Sequence, residues 1–389
     1  MPSGGPTASP MTTPTHDVSI IDRPAFMLIE KEWNALVETT SDEPFYRHEF
    51  IRNWIDSFAP DARLKILIGR DRAGSLVAAL PLVAERGFLY GIPVRRLVSP
   101  TNVYSCRFDL IAADRRAAAD AFFRALADDD TWDVIRITDV PARGNAWDFY
   151  DEATNAGFPA GAWESQRSPF IPLPPSYDLL EARLSPKFKS NLRRRRRRLE
   201  ERGAIDVELV TGGDALEERL ADCFALERSG WKGRLGTAAA QSRRTRGFYT
   251  GLAHQAARGD YLSLYFLKLD GRAIAAQYGF TRRGVYSLLM TCYDEAFREY
   301  SPGHLLLEEV MKRCVTRGLS EFDFLGCDLG WKLDWSPGVR SHHWFFIFRD
   351  TRVGRTFKRA KFDWIPAVKE RFQRWRGEPG ADTQVVLGH

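Results

Sequence analysis

Two rhythms of hydrophobic and polar positions alternate along the chain, and each change of rhythm marks an element. A β-like Asp17–Ile21 precedes helical spacing of Leu, Trp, Ile and Phe over residues 26–37 and 50–58. Residues 64–68 and 75–83 are strand-like runs joined by Asp71, Arg72, Ala73 and Gly74, a hairpin signal because glycine supplies positive φ. A helix over Arg115–Ala127 and a strand over 133–138 follow. Hairpins with helices between them predict α+β, not a regularly alternating parallel sheet.

Residues 168–176, with Pro169, Pro172, Pro174 and Pro175, cannot continue a helix and mark a crossing between lobes. The reading is a Pro- and Gly-rich disordered tail at 1–15, one lobe at 16–165 and a second at 166–389. In the second lobe come a basic helix (186–202), a strand (205–210) and helices at 215–228 and 243–258. A three-strand meander over 261–269, 272–281 and 285–293 turns at Asp270-Gly271 and Arg283-Gly284. Helix 304–317 then places Leu306, Val310 and Cys314 on one face with Leu307 and Met311. Strands at 321–325 and 343–348 and a basic helix at 352–376, interrupted by Pro366, close the chain. Gly74 to Ala79 and Gly271 to Ala276 both follow a strand and turn, an echo that a duplicated lobe would explain.

Charge sharpens the division. The chain has 56 Lys and Arg against 51 Asp and Glu. Residues 1–165 hold 17 basic against 24 acidic side chains and the remainder 39 against 27, so an anionic partner is drawn to the second part. Six consecutive arginines, Arg193 to Arg198, sit in the basic helix. At about 100° per residue they wrap the helix and cannot form one groove-reading face. Arg195 or Arg196 must fall on its apolar stripe of Phe188, Leu192 and Leu199, with the acidic first lobe as a counterpart. Nucleic acid is therefore an unfavoured partner. The cysteines Cys106, Cys223, Cys292, Cys314 and Cys327 are scattered, with no zinc spacing, which fits a reducing cytoplasm. His342 and His343 lack partners at metal spacing, so no metal is expected. No apolar run approaches the roughly 20 residues of a membrane-spanning helix.

The meander, loop, helix and strand of 261–325 follow the order of the acyl-CoA-binding half of a GNAT N-acyltransferase, and Arg298-Glu299-Tyr300-Ser301-Pro302-Gly303 resembles its pyrophosphate loop, with Ser301 in place of a glycine. A small-residue turn feeding a helix N-terminus points N–H groups and a positive dipole end at phosphate. The resemblance extends over 168–360 to the CelD-like acyltransferases of cellulose and exopolysaccharide biosynthesis, related to the FemAB aminoacyltransferases. It is carried by Ser185-Pro186-Lys187, Asn191-Leu192-Arg193-Arg194, Ser229-Gly230-Trp231-Lys232-Gly233, Tyr293-Asp294, Tyr300 to Gly303, and Phe322-Asp323-Phe324-Leu325-Gly326 ahead of Trp331-Lys332 and Trp335.

That resemblance implies two tandem GNAT-like lobes of mixed, mostly antiparallel sheet flanked by helices. It implies acetyl-CoA or another acyl-CoA as co-substrate, held by Cys292, Tyr293, Arg298, Ser301, Gly303 and His304, and direct attack by an amine without a covalent enzyme intermediate. Asp323 is the candidate base, near the mouth of the site, or else half of an ion pair. Lys332 is expected to hold an anion or the developing oxyanion, or to be a solvated loop lysine. Trp231 and Lys232 are candidates to line the acceptor groove, or to form a C-cap in which Trp231 packs; Gln277 and Tyr286 are candidates to face the substrate cleft, or to satisfy a buried backbone group. The implied acceptor is a small molecule, phosphorylated or linked to a sugar or cell-envelope precursor. Two alternatives stand beside this reading: transfer from aminoacyl-tRNA, and a non-catalytic accessory of polysaccharide synthesis.

Overall fold

The structure is a computed structural model that describes residues 17–41, 43–229, 242–335 and 337–367. The tail at 1–15 and the segment carrying Trp231 and Lys232 lie outside these residues. Each half of the chain runs through the same sequence of elements. The first opens with β1 (Asp17–Ile21), then α1 (Arg23–Leu28), α2 (Glu30–Thr40) and α3 (His48–Phe58). The meander β2 (Arg63–Arg70), β3 (Leu76–Leu89) and β4 (Ile92–Val98) follows, with a two-residue β5 (Ile111–Ala112). Helix α4 (Arg115–Ala127), β6 (Val134–Pro141), α5 (Ala146–Asn155) and β7 (Ala160–Pro172) complete the unit.

After α6 (Tyr177–Ala182) and α7 (Pro186–Glu200) the path repeats. It runs through β8 (Ile205–Val210), α8 (Leu216–Ser229), α9 (Arg243–Arg258) and the meander β9 (Leu262–Leu269), β10 (Arg272–Arg282) and β11 (Val285–Tyr293). Then come α10 (Pro302–Thr316), β12 (Glu321–Asp323), a single turn α11 (Gly330–Leu333), β13 (Gly338–Phe348) and α12 (Arg352–Arg359). The last continues through a π-helical turn at Ala360–Trp364. Gly74 and Gly271 occupy matching hairpin turns at φ +82° and +80°, and Ala78, Ala79, Ala275 and Ala276 are fully buried in matching strands, so the echo in the sequence is a structural repeat. Among the described residues no helix is long and apolar enough to cross a membrane.

All strands join one sheet in the order β1-β2-β3-β4-β6-β13-β7-β12-β11-β10-β9-β8, with β5 on β3. The central order shows an exchange. β13, from the end of the second unit, pairs with β6 of the first, while β7 of the first unit pairs with β12 of the second. β13 and β7 pair with each other over most of their length, which welds the halves together. Pro169 and Pro172 therefore lie inside a paired strand, and the crossing expected at 168–176 begins only after Pro172. One face of the sheet carries a core shared by both halves, where Phe50 of α3 meets Phe248 of α9 and Asn53 donates to the Phe248 carbonyl at 2.7 Å.

Candidate active site

A cavity of about 490 Å³ opens where two parallel strands part company. β11 and β12 are paired only from Val285 with Glu321 to Ser287 with Asp323. Beyond that point Leu288 to Tyr293 of β11 form one wall, and Phe324, Leu329, Trp331 and Lys332 the other. The parting has a local cause. Leu325 and Gly326 both take positive φ, +51° and +55°, and swing the chain away from the ladder. A leucine is strained there, and it is held on both sides: its N–H donates to Asp323 Oδ1 at 2.8 Å and its carbonyl accepts from Lys332 Nζ at 2.5 Å.

At the cavity's mouth stands the turn into α10. Ser301 is left-handed at φ +49° and makes no side-chain cap. Pro302 has no N–H, while those of His304 and Leu305 turn back onto the Ser301 carbonyl at 3.0 and 3.2 Å. That leaves the Gly303 N–H, at the positive end of a 15-residue helix, for a ligand. A Cβ on Gly303 would stand 3.5 Å from the Tyr293 ring, so turn and strand are already in van der Waals reach. Arg195 and Arg298 line the same cavity, and with Lys332 they make its wall cationic.

His304 is held in its neutral form: burial lowers its pKa, with Asp334 opposing and Arg195 reinforcing. Trp335 is fully buried and its indole Nε1 donates to His304 Nδ1 at 3.3 Å, so the ring's own proton sits on Nε2. Cys292, Tyr293, Arg298, Ser301, Gly303, His304 and Lys332, all named from sequence, are thus gathered round one space.

Asp323 is not part of that wall. It is completely buried, ion-paired with Arg107 Nη2 and 3.7 Å from Arg340, so the sequence-based expectation of a base near the mouth is corrected. Its partner comes from the first half, between β4 and β5, where no sequence spacing could reveal it. Burial works against the charge on Arg107, but Asp323 and Glu43 outweigh it and hold the guanidinium more firmly protonated than usual. Tyr286 is likewise corrected: it is fully buried, its ring 4.8 Å from that of Phe322, and it packs on the core of α10. Gln277, on β10 opposite Thr291, is buried behind the wall without reaching the cavity.

Two charged lining residues were not expected from sequence. Arg195 was hidden inside the arginine run. Its neighbours find partners in the second half rather than in the acidic first lobe as expected: Arg193 on Glu181, Arg196 on Glu308 and Glu309, Arg198 on Glu299. The other is Glu227, only 3% exposed on the last turn of α8. A signal for it existed. Leu216, Leu220, Cys223, Phe224 and Glu227 continue one helical stripe, and a carboxylate at its end has to face either core or cavity.

Residues 186–333 match the family model described as an acetyltransferase (GNAT) domain. A search of curated proteins by sequence finds no match. Among solved structures the chain resembles FemX, at 13% identity over 82% of this chain and 96% of that one, with a TM-score of 0.57. A conserved protein of unknown function from Bacteroides thetaiotaomicron aligns at 12% identity over 85% and 100%, TM-score 0.52. L-PGS from Bacillus licheniformis aligns at 12% over 85% and 94%, TM-score 0.50. Identities this low speak for the fold, and the fold is two tandem GNAT-like units. The match to the acetyltransferase (GNAT) domain model falls in the second unit, and the residues that line the cavity lie inside it.

Proposed function

We propose that the protein transfers an acyl group from an acyl-CoA thioester to an amine by direct attack in the cavity between β11 and the segment after β12. One observation carries this reading. The space where the strands separate opens onto an uncapped helix N-terminus flanked by Arg195 and Arg298, which suits a pantetheine arm ending in a pyrophosphate. The separated stretch of β11, Thr291 to Tyr293, supports a role in meeting the thioester carbonyl, since backbone N–H groups freed from a ladder can stabilise charge developing on oxygen. Lys332 is fixed at the same wall by the Leu325 carbonyl and would add a positive charge. The CelD-like resemblance favours a sugar or cell-envelope precursor as acceptor, and the cytoplasm as the place where acyl-CoA is met.

Isothermal titration with acetyl-CoA and longer acyl-CoAs tests the reading directly. Wild type should bind, and Arg298→Ala should weaken binding about tenfold, since charge-assisted hydrogen bonds are worth about 1.5–3 kcal/mol and this side chain is solvent-exposed. Absence of thioester binding would overturn the proposal. Binding of aminoacyl-tRNA instead would favour the second reading, which draws support from the exposed cations Lys187, Arg194 and Arg197 on α7, the helix that also brings Arg195 to the cavity.

A further inference from the structure

Charge is distributed unevenly among the described residues that line the cavity. Arg195, Arg298 and Lys332 are cations suited to an anionic donor, and Glu227 is the single carboxylate. Its place follows from the way α8 is fastened. Cys223 and Glu227 are one helical turn apart and share a face. The Cys292 thiol donates to the Cys223 carbonyl at 3.5 Å, and Cys292 belongs to the separated stretch of β11. The latch at Cys223 therefore sets the next turn of α8, and with it the Glu227 side chain, against the stretch where the donor carbonyl would sit.

From this juxtaposition we infer that Glu227 receives the acceptor as an ammonium ion and removes its proton, so that the acceptor is a primary amine and Glu227 the base of the transfer. This rests on the acyl-CoA reading above. Leu288, Leu289, Met290 and Phe324 are apolar members of the same lining, and beside such low-dielectric walls a carboxylate attracts a cationic acceptor more strongly than it would in open water. Among the described residues, the titratable and charged groups that share this environment are Cys223 on α8, Tyr249 on α9, Cys292 and Tyr293 on β11, Arg195 on α7, Arg298 and His304 beside α10, and Lys332.

Asp323 does not line the cavity and is completely buried, so it cannot meet the acceptor nitrogen. The ammonium gives one proton to the Glu227 carboxylate. The neutral amine nitrogen then bonds to the thioester carbonyl carbon, the C–S bond breaks, and the second N–H proton leaves with sulfur as the CoA thiol. Glu227 returns its proton to solvent. The products are an amide, free CoA and one proton.

Glu227→Gln keeps the shape and removes the base, and the test uses acetyl-CoA with two kinds of nucleophile at neutral pH, following release of the CoA thiol. Ethanolamine, glucosamine and lysine are protonated there, whereas hydroxylamine is already neutral. Glu227→Gln should bind acetyl-CoA within about twofold of wild type. It should lose roughly 100-fold in turnover with whichever protonated amine wild type accepts, a typical value for general-base catalysis. Its hydroxylamine reaction should stay within a few-fold of wild type, and raising the pH should recover turnover with the protonated amine. Glu227→Asp should retain part of the activity.

Equal loss with both nucleophile classes, no loss, or a wild type that binds acetyl-CoA yet accepts no amine would overturn the assignment alone. A wild type that binds no thioester would remove the donor reading and this inference together.

Discussion

The two halves follow one chain path and end their meanders in opposite ways. In the first, β4 stays tied to β6 past the ladder: Ser99 N–H donates to the Arg136 carbonyl at 3.1 Å, and the hydroxyls of Ser99, Thr101 and Thr138 bond to one another. The helix that follows, α4, has its N-terminus capped by Asp114, whose carboxylate accepts from the Ala117 N–H at 3.1 Å. In the second half β11 runs on past β12 paired only with β10, and α10 begins at a left-handed Ser301 with no side-chain cap. A capped helix with zipped strands has no use for a phosphate; an uncapped one beside an open slot does. Topology alone therefore does not make the site. The half without the slot lends the other a buried cation, since Arg107 secures Asp323, which in turn holds Leu325 where the slot opens.

The largest expected effect comes from cutting that loan. Arg107→Ala leaves Asp323 buried with only the more distant Arg340 as its cation, and should lower unfolding stability by roughly 3–5 kcal/mol in a urea titration, the usual penalty for removing one partner of a buried ion pair. A change below about 1 kcal/mol, within the range of an exposed pair, would show that the halves are not joined energetically at this point.

Next is an exchange of caps. Ser301→Asp imports the carboxylate that closes α4, in a conformation that Asp tolerates, and should reduce acetyl-CoA affinity at least about tenfold with little change in melting temperature. Unchanged affinity would mean that the helix start does not face the donor.

An intermediate effect should appear as acid sensitivity near the seam. His342 on β13 is buried with both ring nitrogens unpartnered, and burial, reinforced by Arg107, lowers its pKa from 6.5 to about 4. As pH falls below 6.5 the unfolded chain takes up the proton first, so this contribution to stability is lost progressively down to about 4. Asp109 and Asp139, raised from 3.8 to about 6 chiefly by burial, act in the opposite sense, because the folded state protonates first. Comparing His342→Gln with wild type isolates the histidine: the stability gap between the two should narrow between pH 7 and pH 4.5. A constant gap would count against the shift.

The smallest effect is expected from Asp114→Ala, which should lower stability by about 1 kcal/mol, as loss of an N-cap does, and leave acetyl-CoA binding untouched.

How far the sequence could be read followed from which interactions were local. The meander at 262–293 was legible because each turn carries its own glycine and each strand its own alternation. Arg115–Ala127 and Arg243–Arg258 were legible to their ends, since Asp114 and Ser242 are caps visible in the sequence. β4 and β7 were not anticipated. β4 has exposed residues at Ile92 and Pro93 and lacks a clear rhythm, and β7 carries prolines that look like a linker until a partner strand is supplied. The loop ahead of α10 was recognisable from Arg298 to Gly303, whereas Glu227 looked like one more helical acid and Asp323 like an accessible one.

Helix caps, turn glycines and residue spacing act over a few positions, so the chain on its own determined its repeated unit and the helix end that would meet phosphate. The exchange of β7 and β13, the union of Arg107 with Asp323, and the selection of Glu227 over Asp323 as the acid on the cavity are long-range events. Only tertiary structure decided these, because burial and charge partnership exist only once distant segments share one sheet.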